Sequence, residues 1–282
     1  MPIPITGIDH AIVGVRKLEA ARRQWAKLGF TITPRGRHRG WGTANYCIMF
    51  ETDYVELLGI VDPAGFTNKL DRFLKIREGL MGLAFSTETA EAVSAALEAA
   101  SIDYKGPADL SRLLELPEGE VEPAFKLVYL NGATPGVSSF VCQHLTRDLV
   151  WRPEWTRHAN GVTGIDSMTV VVRNTSSPRA GWRRFLGQEA VTEIGDQEFS
   201  AIVGQTELRF LTEAAAEAAW PELRRRKWRP PFLAGMALSV TDPAETVRAL
   251  EAGGIGYARK DDQTVAVRGS HANGVSLEFC AV

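Results

Sequence analysis

Residues 7–15, GIDHAIVGV, alternate apolar with other side chains at period two, the mark of a strand with one buried face. A helical spacing follows over residues 18–28 and stops at Gly29, in the letters KLGF. Residues 164–172, GIDSMTVVV, repeat the opening nearly letter for letter, and their helix also ends on Phe185-Leu186-Gly187. Such self-similarity predicts an internally duplicated chain. After the first helix come three short β-type stretches, residues 30–33, 44–51 and 54–60, with Thr52-Asp53 as the turn between the last two. The predicted unit is therefore strand, helix, three strands.

Two more copies have the same order. Copy two opens at residues 81–86, has a helix over about 89–100, and ends with a strand at 137–145 after the Pro135-Gly136 turn. Copy four opens at 234–240, has a helix starting at Asp242 with Glu245 three positions on as a capping pair, and ends at 275–280 after Asn273-Gly274. Residues 105–123, rich in Leu, Glu and Pro, read as an insertion in copy two. Residues 146–162, TRDLVWRPEWTRHANGV, read as a linker whose Trp151 and Trp155 glue the two halves together. The expected domains are 1–148, holding copies one and two, and 149–282, holding the linker and copies three and four.

Composition adds limits rather than chemistry. The 282 residues carry 32 basic and 34 acidic side chains for a net charge of −2, which gives no global drive toward nucleic acid. Cys47, Cys142 and Cys280 form no metal-type pairing, and an odd, sparse count fits a reducing compartment. No basic stretch followed by an apolar core opens the chain, and no apolar run approaches the ~18 residues of a membrane helix. A cytoplasmic protein with no membrane or nucleic-acid partner is expected.

The GIDH opening with His10, the KLGF helix end, Gly42-Thr43-Ala44-Asn45 before a strand, Tyr-Val-Glu-Leu-Leu with Glu56, and Gln-His-Leu-Thr with His144 together resemble the vicinal-oxygen-chelate superfamily. The likeness is to its glyoxalase-like branch, among relatives that include bleomycin-resistance proteins and extradiol dioxygenases, and it covers nearly the whole chain. It implies an α+β fold of four βαβββ modules forming two domains, each a curved sheet around a cleft. The first and last strands of each module would point inward. The inward positions are then His10, Glu56, Gly82 and His144 in the first half, and Ser167, Glu207, Gly235 and Glu278 in the second.

Two imidazoles and one carboxylate suit a divalent ion with open coordination positions, and the ligand types leave Fe, Zn, Ni, Co and Mn as alternatives. His10, Glu56 and His144 are the expected ligands. The pattern departs from glyoxalase I, which fills all four positions and uses a carboxylate where His144 stands here. It departs from extradiol dioxygenases too, whose metal lies in the C-terminal pair.

Around the expected site, the loop 35–41 brings three arginines with His38 and Trp41, and His38 and Trp41 are its better candidates for substrate contact. Tyr54 shares a face with Glu56, and Cys142 with His144. Trp151 and His158 belong to a linker that leaves the strand of His144 and would lie over the cleft. The basic run 224–229 comes after a helix and reads as structural or as a partner surface. The expectation is a metal-dependent enzyme with lyase or isomerase chemistry on a small substrate chelated through adjacent oxygens. The alternatives are an extradiol-type iron dioxygenase and a non-catalytic small-molecule binder. The second half would complete the fold, cover the site or form a homodimer.

Overall fold

The computed structural model describes residues 3–226 and 228–282, apart from the side chain of Arg225. Lys227 and that side chain, both in the basic run 224–229, lie outside the described residues. The first module consists of β1 (Gly7–Gly14), α1 (Leu18–Lys27), β2 (Gly36–His38), β3 (Thr43–Met49) and β4 (Tyr54–Ile60). Helix α2 (Leu70–Ile76) leads to the second: β5 (Gly79–Ser86), α3 (Ala90–Ala99), β6 (Tyr104–Leu116), β7 (Gly119–Val121), β8 (Ala124–Leu130) and β9 (Ser139–His144). The third holds β10 (Val162–Val172), α4 (Ser176–Leu186), β11 (Val191–Gly195), β12 (Glu198–Val203) and β13 (Thr206–Thr212), with α5 (Glu213–Ala219) after it. The fourth holds β14 (Phe232–Val240), α6 (Pro243–Ala252), β15 (Ala258–Arg259), β16 (Thr264–Val267) and β17 (Ser276–Ala281). Among the described residues no helix is long and apolar enough to cross a membrane.

Local chemistry explains the elements. In α1 the buried side chains are Leu18, Ala21 and Trp25, spaced three and four apart, so one stripe faces inward. Gly29 ends that helix with φ near +93°, a left-handed turn that favours glycine. In α6 the Asp242 carboxylate accepts the Ala244 N–H at 2.8 Å, satisfying one of the helix's free donors.

The first sheet runs β2-β3-β4-β1-β5-β9-β8-β6-β7, and β6 also pairs back onto β2, so its strands close into a barrel with β7 outside on β6. The seam sets Gly36 opposite Leu114, Arg37 opposite Leu113, and His38 opposite Arg112. The second sheet, β11-β12-β13-β10-β14-β17-β16-β15, stays open. In each, the first strands of two modules lie antiparallel at the centre, and each last strand pairs parallel with its own first strand.

One hydrophobic core runs through both sheets. The first module packs on the fourth, where Trp25 Nε1 donates to Asn273 Oδ1 and a side chain at Gly29 would strike Ala249. The second packs on the third, through Phe85 against Trp182 and Phe185.

Two sequence expectations change. Residues 30–33 form no strand: Phe30 is buried among Trp25, Phe50 and Phe279, and pairing begins at Gly36. The stretch read as an insertion, 105–123, is the barrel wall itself. Leu110, Arg112, Leu114 and Leu116 alternate along β6, and the last three are buried.

Candidate active site in the first barrel

Inside the barrel a cavity of about 70 Å³ is lined by His10, His38, Asn45, Tyr54, Glu56 and Arg112, with Trp41, Cys142, Phe125 and Phe140 among its walls. His10 Nε2 and His38 Nε2 lie 3.8 Å from different oxygens of the buried Glu56 carboxylate. The other nitrogen of each ring is engaged, His10 Nδ1 by Asp9 at 2.5 Å and His38 Nδ1 by the Thr43 hydroxyl at 2.9 Å. Burial is the main force lowering the His38 pKa, which keeps the ring in its neutral, metal-binding form. Tyr54 stacks on His10 with ring centroids 4.5 Å apart, and burial pushes its phenol well above the usual range.

The barrel seam supplies the rest. Asn45 Nδ2 donates to Glu56 Oε1 at 2.5 Å, and Arg112 Nη1 donates to Asn45 Oδ1 at 2.8 Å and to Cys47 Sγ at 3.1 Å. Gly36 makes room for this chain, because a Cβ there would stand 2.3 Å from Asn45 Oδ1 and 3.1 Å from Arg112. The neighbouring arginines Arg35, Arg37 and Arg39 take no part; they pair with Glu115, Glu120 and Glu122 of β6, β7 and the turn beyond.

His144 is not brought to Glu56. Glu56 pairs with Ile12, two residues beyond His10, whereas the residue pairing two beyond Gly82 on β5 is Phe140, opposite Ala84. The fourth-strand position of the second module is therefore Phe140, and His144 lies four residues farther along β9. Its Nε2 reaches Asp9 Oδ2 at 3.1 Å. A register shift in β1 between Ile8 and His10 accompanies this arrangement and leaves Asp9 buried beside His10. Against the upward push of burial, His144 and His10 together hold the Asp9 carboxyl well below its usual range, so one carboxylate anchors both imidazoles.

The far side of Asp9 opens on a second cavity of about 440 Å³, lined also by Asp53, Glu88, Cys142, His144, Arg147 and Gln205. Among the described residues the group of three ligand-type side chains whose donor atoms all lie within 4.8 Å of one another is Asp9, Cys142 and His144. In that group the Asp9 oxygens already accept from two rings, and burial keeps the Cys142 thiol well above its usual pKa. The first barrel's His10, His38 and Glu56 are gathered less tightly than that group, but they share one cavity, and among the described residues Glu56 Oε2 and both Nε2 atoms have no hydrogen-bond partner.

The remaining candidates fall on both sides of this boundary. Trp41 lines the barrel cavity, with its ring 5.5 Å from His38 and 5.0 Å from Phe66. Cys142 lines both cavities. Trp151 lines neither: its Nε1 donates to the Phe50 carbonyl, and its ring packs against His144 and Tyr54. Trp151 and Trp155 join the first barrel's own apolar cluster and do not glue the halves. His158 does not overlie the cleft, because Nδ1 accepts the Thr31 N–H at 3.0 Å and Nε2 donates to the Met49 carbonyl at 2.9 Å. Both ring nitrogens are thereby spent on backbone.

Gly82 cannot hold a ligand of any kind, since a Cβ there would lie 2.5 Å from the Ser138 carbonyl oxygen. In the second sheet, pairing puts Arg209 rather than Glu207 level with the position of Glu56, opposite Thr169. Arg209 is tied to Glu198, and Glu278 to Lys260. Trp220 fills the space before Gly235, its ring 2.3 Å from where a Cβ would be. Of the residues that sequence reasoning missed, Asp9, Asn45 and Arg112, the last had a signal in the period-two alternation of β6.

Residues 8–186 match the family described as a glyoxalase-like domain. No curated protein matches the chain. Among solved structures, a hypothetical protein from Staphylococcus aureus is similar over 98% of this chain and 99% of its own, with 14% identity and a TM-score of 0.71. A mutant of 4-hydroxymandelate synthase from Streptomyces coelicolor aligns over 99% of this chain and 93% of its own, at 12% identity and a TM-score of 0.62. A xylose isomerase-like TIM barrel/4-hydroxyphenylpyruvate dioxygenase fusion protein aligns with the entire chain, which spans 50% of the fusion, at 13% identity and a TM-score of 0.60. At these identities the likeness is one of fold. With more than half of its length matched by the family and four βαβββ modules in its sheets, the chain belongs to the glyoxalase-like domain family of the vicinal-oxygen-chelate superfamily.

Proposed function

We propose that the first barrel is the working site of a divalent-metal-dependent enzyme that takes a small molecule through two adjacent oxygens, with lyase or isomerase chemistry. The observation that carries this reading is the pair of imidazole nitrogens, His10 Nε2 and His38 Nε2, each 3.8 Å from a different oxygen of Glu56. Two nitrogens and a carboxylate suit a first-row divalent ion and leave coordination positions open. Asp9 and Thr43 fix the orientation of the two rings from behind, as outer partners of metal ligands commonly do. His38 thus replaces His144 in the ligand set expected from sequence. An ion bound there would supply Lewis acidity to the oxygens of the bound molecule.

The chain's own residues do the remaining work. Asn45 holds one oxygen of Glu56. Tyr54 braces the His10 ring from its face. Leu58, Leu110, Phe125 and Phe140 wall the cavity with apolar surface, which lowers the local dielectric and strengthens the charge interactions inside. Asp9 keeps a proton on His10 Nδ1, so that Nε2 is the nitrogen facing the cavity.

The same donor set, two histidines and a carboxylate, also suits ferrous iron in oxygenases, and this supports a second reading as an oxygen-consuming enzyme. Turnover without oxygen in the presence of Zn or Mn excludes it.

Metal content after reconstitution, measured by elemental analysis, tests the site. Wild type is expected to retain a divalent ion, His10→Ala, His38→Ala and Glu56→Gln to lose it, and Cys142→Ser and His144→Ala to keep it. Retention by His38→Ala together with loss in Cys142→Ser would place the ion at Asp9, Cys142 and His144 and overturn the assignment.

A further inference from the structure

Resting on the reading of the first barrel as the working site, we propose that its small-molecule ligand is a carboxylate whose charge Arg112 receives. Arg112 is only 3% exposed, on the inner wall of the barrel. None of its side-chain contacts is to an acid. Nη1 donates to the Asn45 amide oxygen and to the Cys47 sulfur, and Nε, fully buried, has no partner among the described residues.

The contrast with its neighbours is local. Arg35, Arg37 and Arg39 lie on or beside β2, the strand that Arg112 faces across the seam, and all three pair with glutamates on the barrel's outer side. The same sheet therefore neutralises its outer arginines and leaves its inner one with neutral partners. A buried guanidinium held only by neutral groups is a planar fork of donors suited to a carboxylate.

Charge and size narrow the ligand. Glu56 is the one carboxylate among the residues lining the cavity, and Asn45 stands between it and Arg112. A divalent ion on Glu56 would consume that negative charge and leave Arg112 without any. The cavity of about 70 Å³ has room for about five to seven waters, at the ~10–15 Å³ each requires on this measure. That corresponds to a ligand of a few non-hydrogen atoms. Because the seam sets Arg112 directly opposite His38, a carboxylate on Arg112 places the atoms next to it beside His38, His10 and Glu56. A short 2-oxo or 2-hydroxy acid meets all three demands: small, anionic, and bearing a second oxygen beside the carboxylate.

Lactate and its neutral analogue lactamide, matched in size, are the probes. Their binding is measured by calorimetry on metal-free protein in the presence of a chelator, for wild type, Arg112→Met and Glu56→Gln. Wild type is expected to prefer lactate by about tenfold or more, the scale of one charge-assisted hydrogen-bonded contact. Glu56→Gln, lacking the competing negative charge, should prefer it more strongly, and Arg112→Met should show no preference. Equal binding of the two probes to both wild type and Glu56→Gln, or a lactate preference that survives in Arg112→Met, overturns the proposal. If Arg112→Met does not fold, the comparison of probes on the other two proteins decides alone. Since the chelator removes any metal, failure here leaves the metal reading standing, and failure of metal uptake leaves this result unaffected.

Discussion

A carboxylate that accepts from two imidazoles at once fixes what both rings can do. Asp9 holds His10 through Nδ1 and His144 through Nε2, so a change at this one position reaches the barrel cavity through His10 without touching anything inside it. Asp9→Asn keeps one acceptor oxygen and turns an amide N–H₂ toward the other ring, which misorients a histidine or shifts its proton. Metal affinity of the Asn variant is expected to fall about 10–100-fold, the usual cost of losing an outer partner of a histidine ligand, in competition titrations against a chromogenic chelator. Unchanged affinity would show that His10 does not depend on Asp9 for its orientation. His10, Glu56, His38 and Trp41, singled out in the sequence from the GIDH and YVELL strands and the loop between them, all line the barrel cavity. Asp9 was not singled out, because strict alternation assigns it to the opposite face from His10, and a register shift in β1 accompanies the burial of both. His144 was misplaced for the related reason that the length of a strand can be read from its letters while its register against a parallel partner cannot.

At the scale of elements, the two halves share a module and differ in the segment beyond its fourth strand. After β4 comes α2, whose Leu70 joins Ile12 and Leu58 at one side of the barrel and leaves the cavity open beyond them. After β13 comes α5, and behind it Trp220 drops into the equivalent space, packed on Val171, Leu211, Ala216, Leu223 and Ala234. In the second half an aromatic side chain of its own therefore fills this place. Trp220→Ala should cost about 3–5 kcal/mol by urea unfolding, as large aromatic truncations in a core do. Metal uptake by the folded variant should match wild type, since the first barrel is untouched; a parallel loss of metal would mean that the halves share one site. The seam strands explain what sequence could not give here. β2 is three residues long and β6 carries charges on its outer face, so each alone reads as loop or insertion, and their identity as barrel wall comes only from pairing with one another.

Across the whole molecule, the two sheets share no strand pairing among the described residues and are joined in packing, and the segment between them ties both to the first barrel. His158 braces that segment through two backbone bonds, and Asp53 in the β3–β4 turn accepts the Ile165 N–H at the start of the second sheet. Asp53 is buried and His158 half-buried, and the two are shifted in opposite senses. Burial pushes His158 down to about 4, with no charged neighbour opposing it. Burial, aided by the Asp9 charge, raises Asp53 to about 7, against the pull of the Ile165 N–H. Between pH 4 and 6.5 the unfolded histidine binds a proton that the folded one refuses, so its contribution to stability falls as pH falls. Over most of the same range the folded Asp53 keeps a proton that the unfolded one has lost, so its contribution falls as pH rises. Each slope is about 1.4 kcal/mol per pH unit, and the two nearly cancel in the wild type. Substituting one group exposes the other. Asp53→Asn, which keeps an acceptor for Ile165, should lose about 3 kcal/mol more than wild type on acidification from pH 6.5 to 4, and His158→Gln should gain a similar amount relative to wild type over the same interval. Urea unfolding midpoints of the three proteins at half-unit steps of pH measure this directly. Because Asp9, which couples to Asp53, is held well below this interval and the remaining carboxylates are common to the three proteins, the differences isolate these two groups, and parallel curves would mean that neither is held in its folded protonation state by the junction between the sheets.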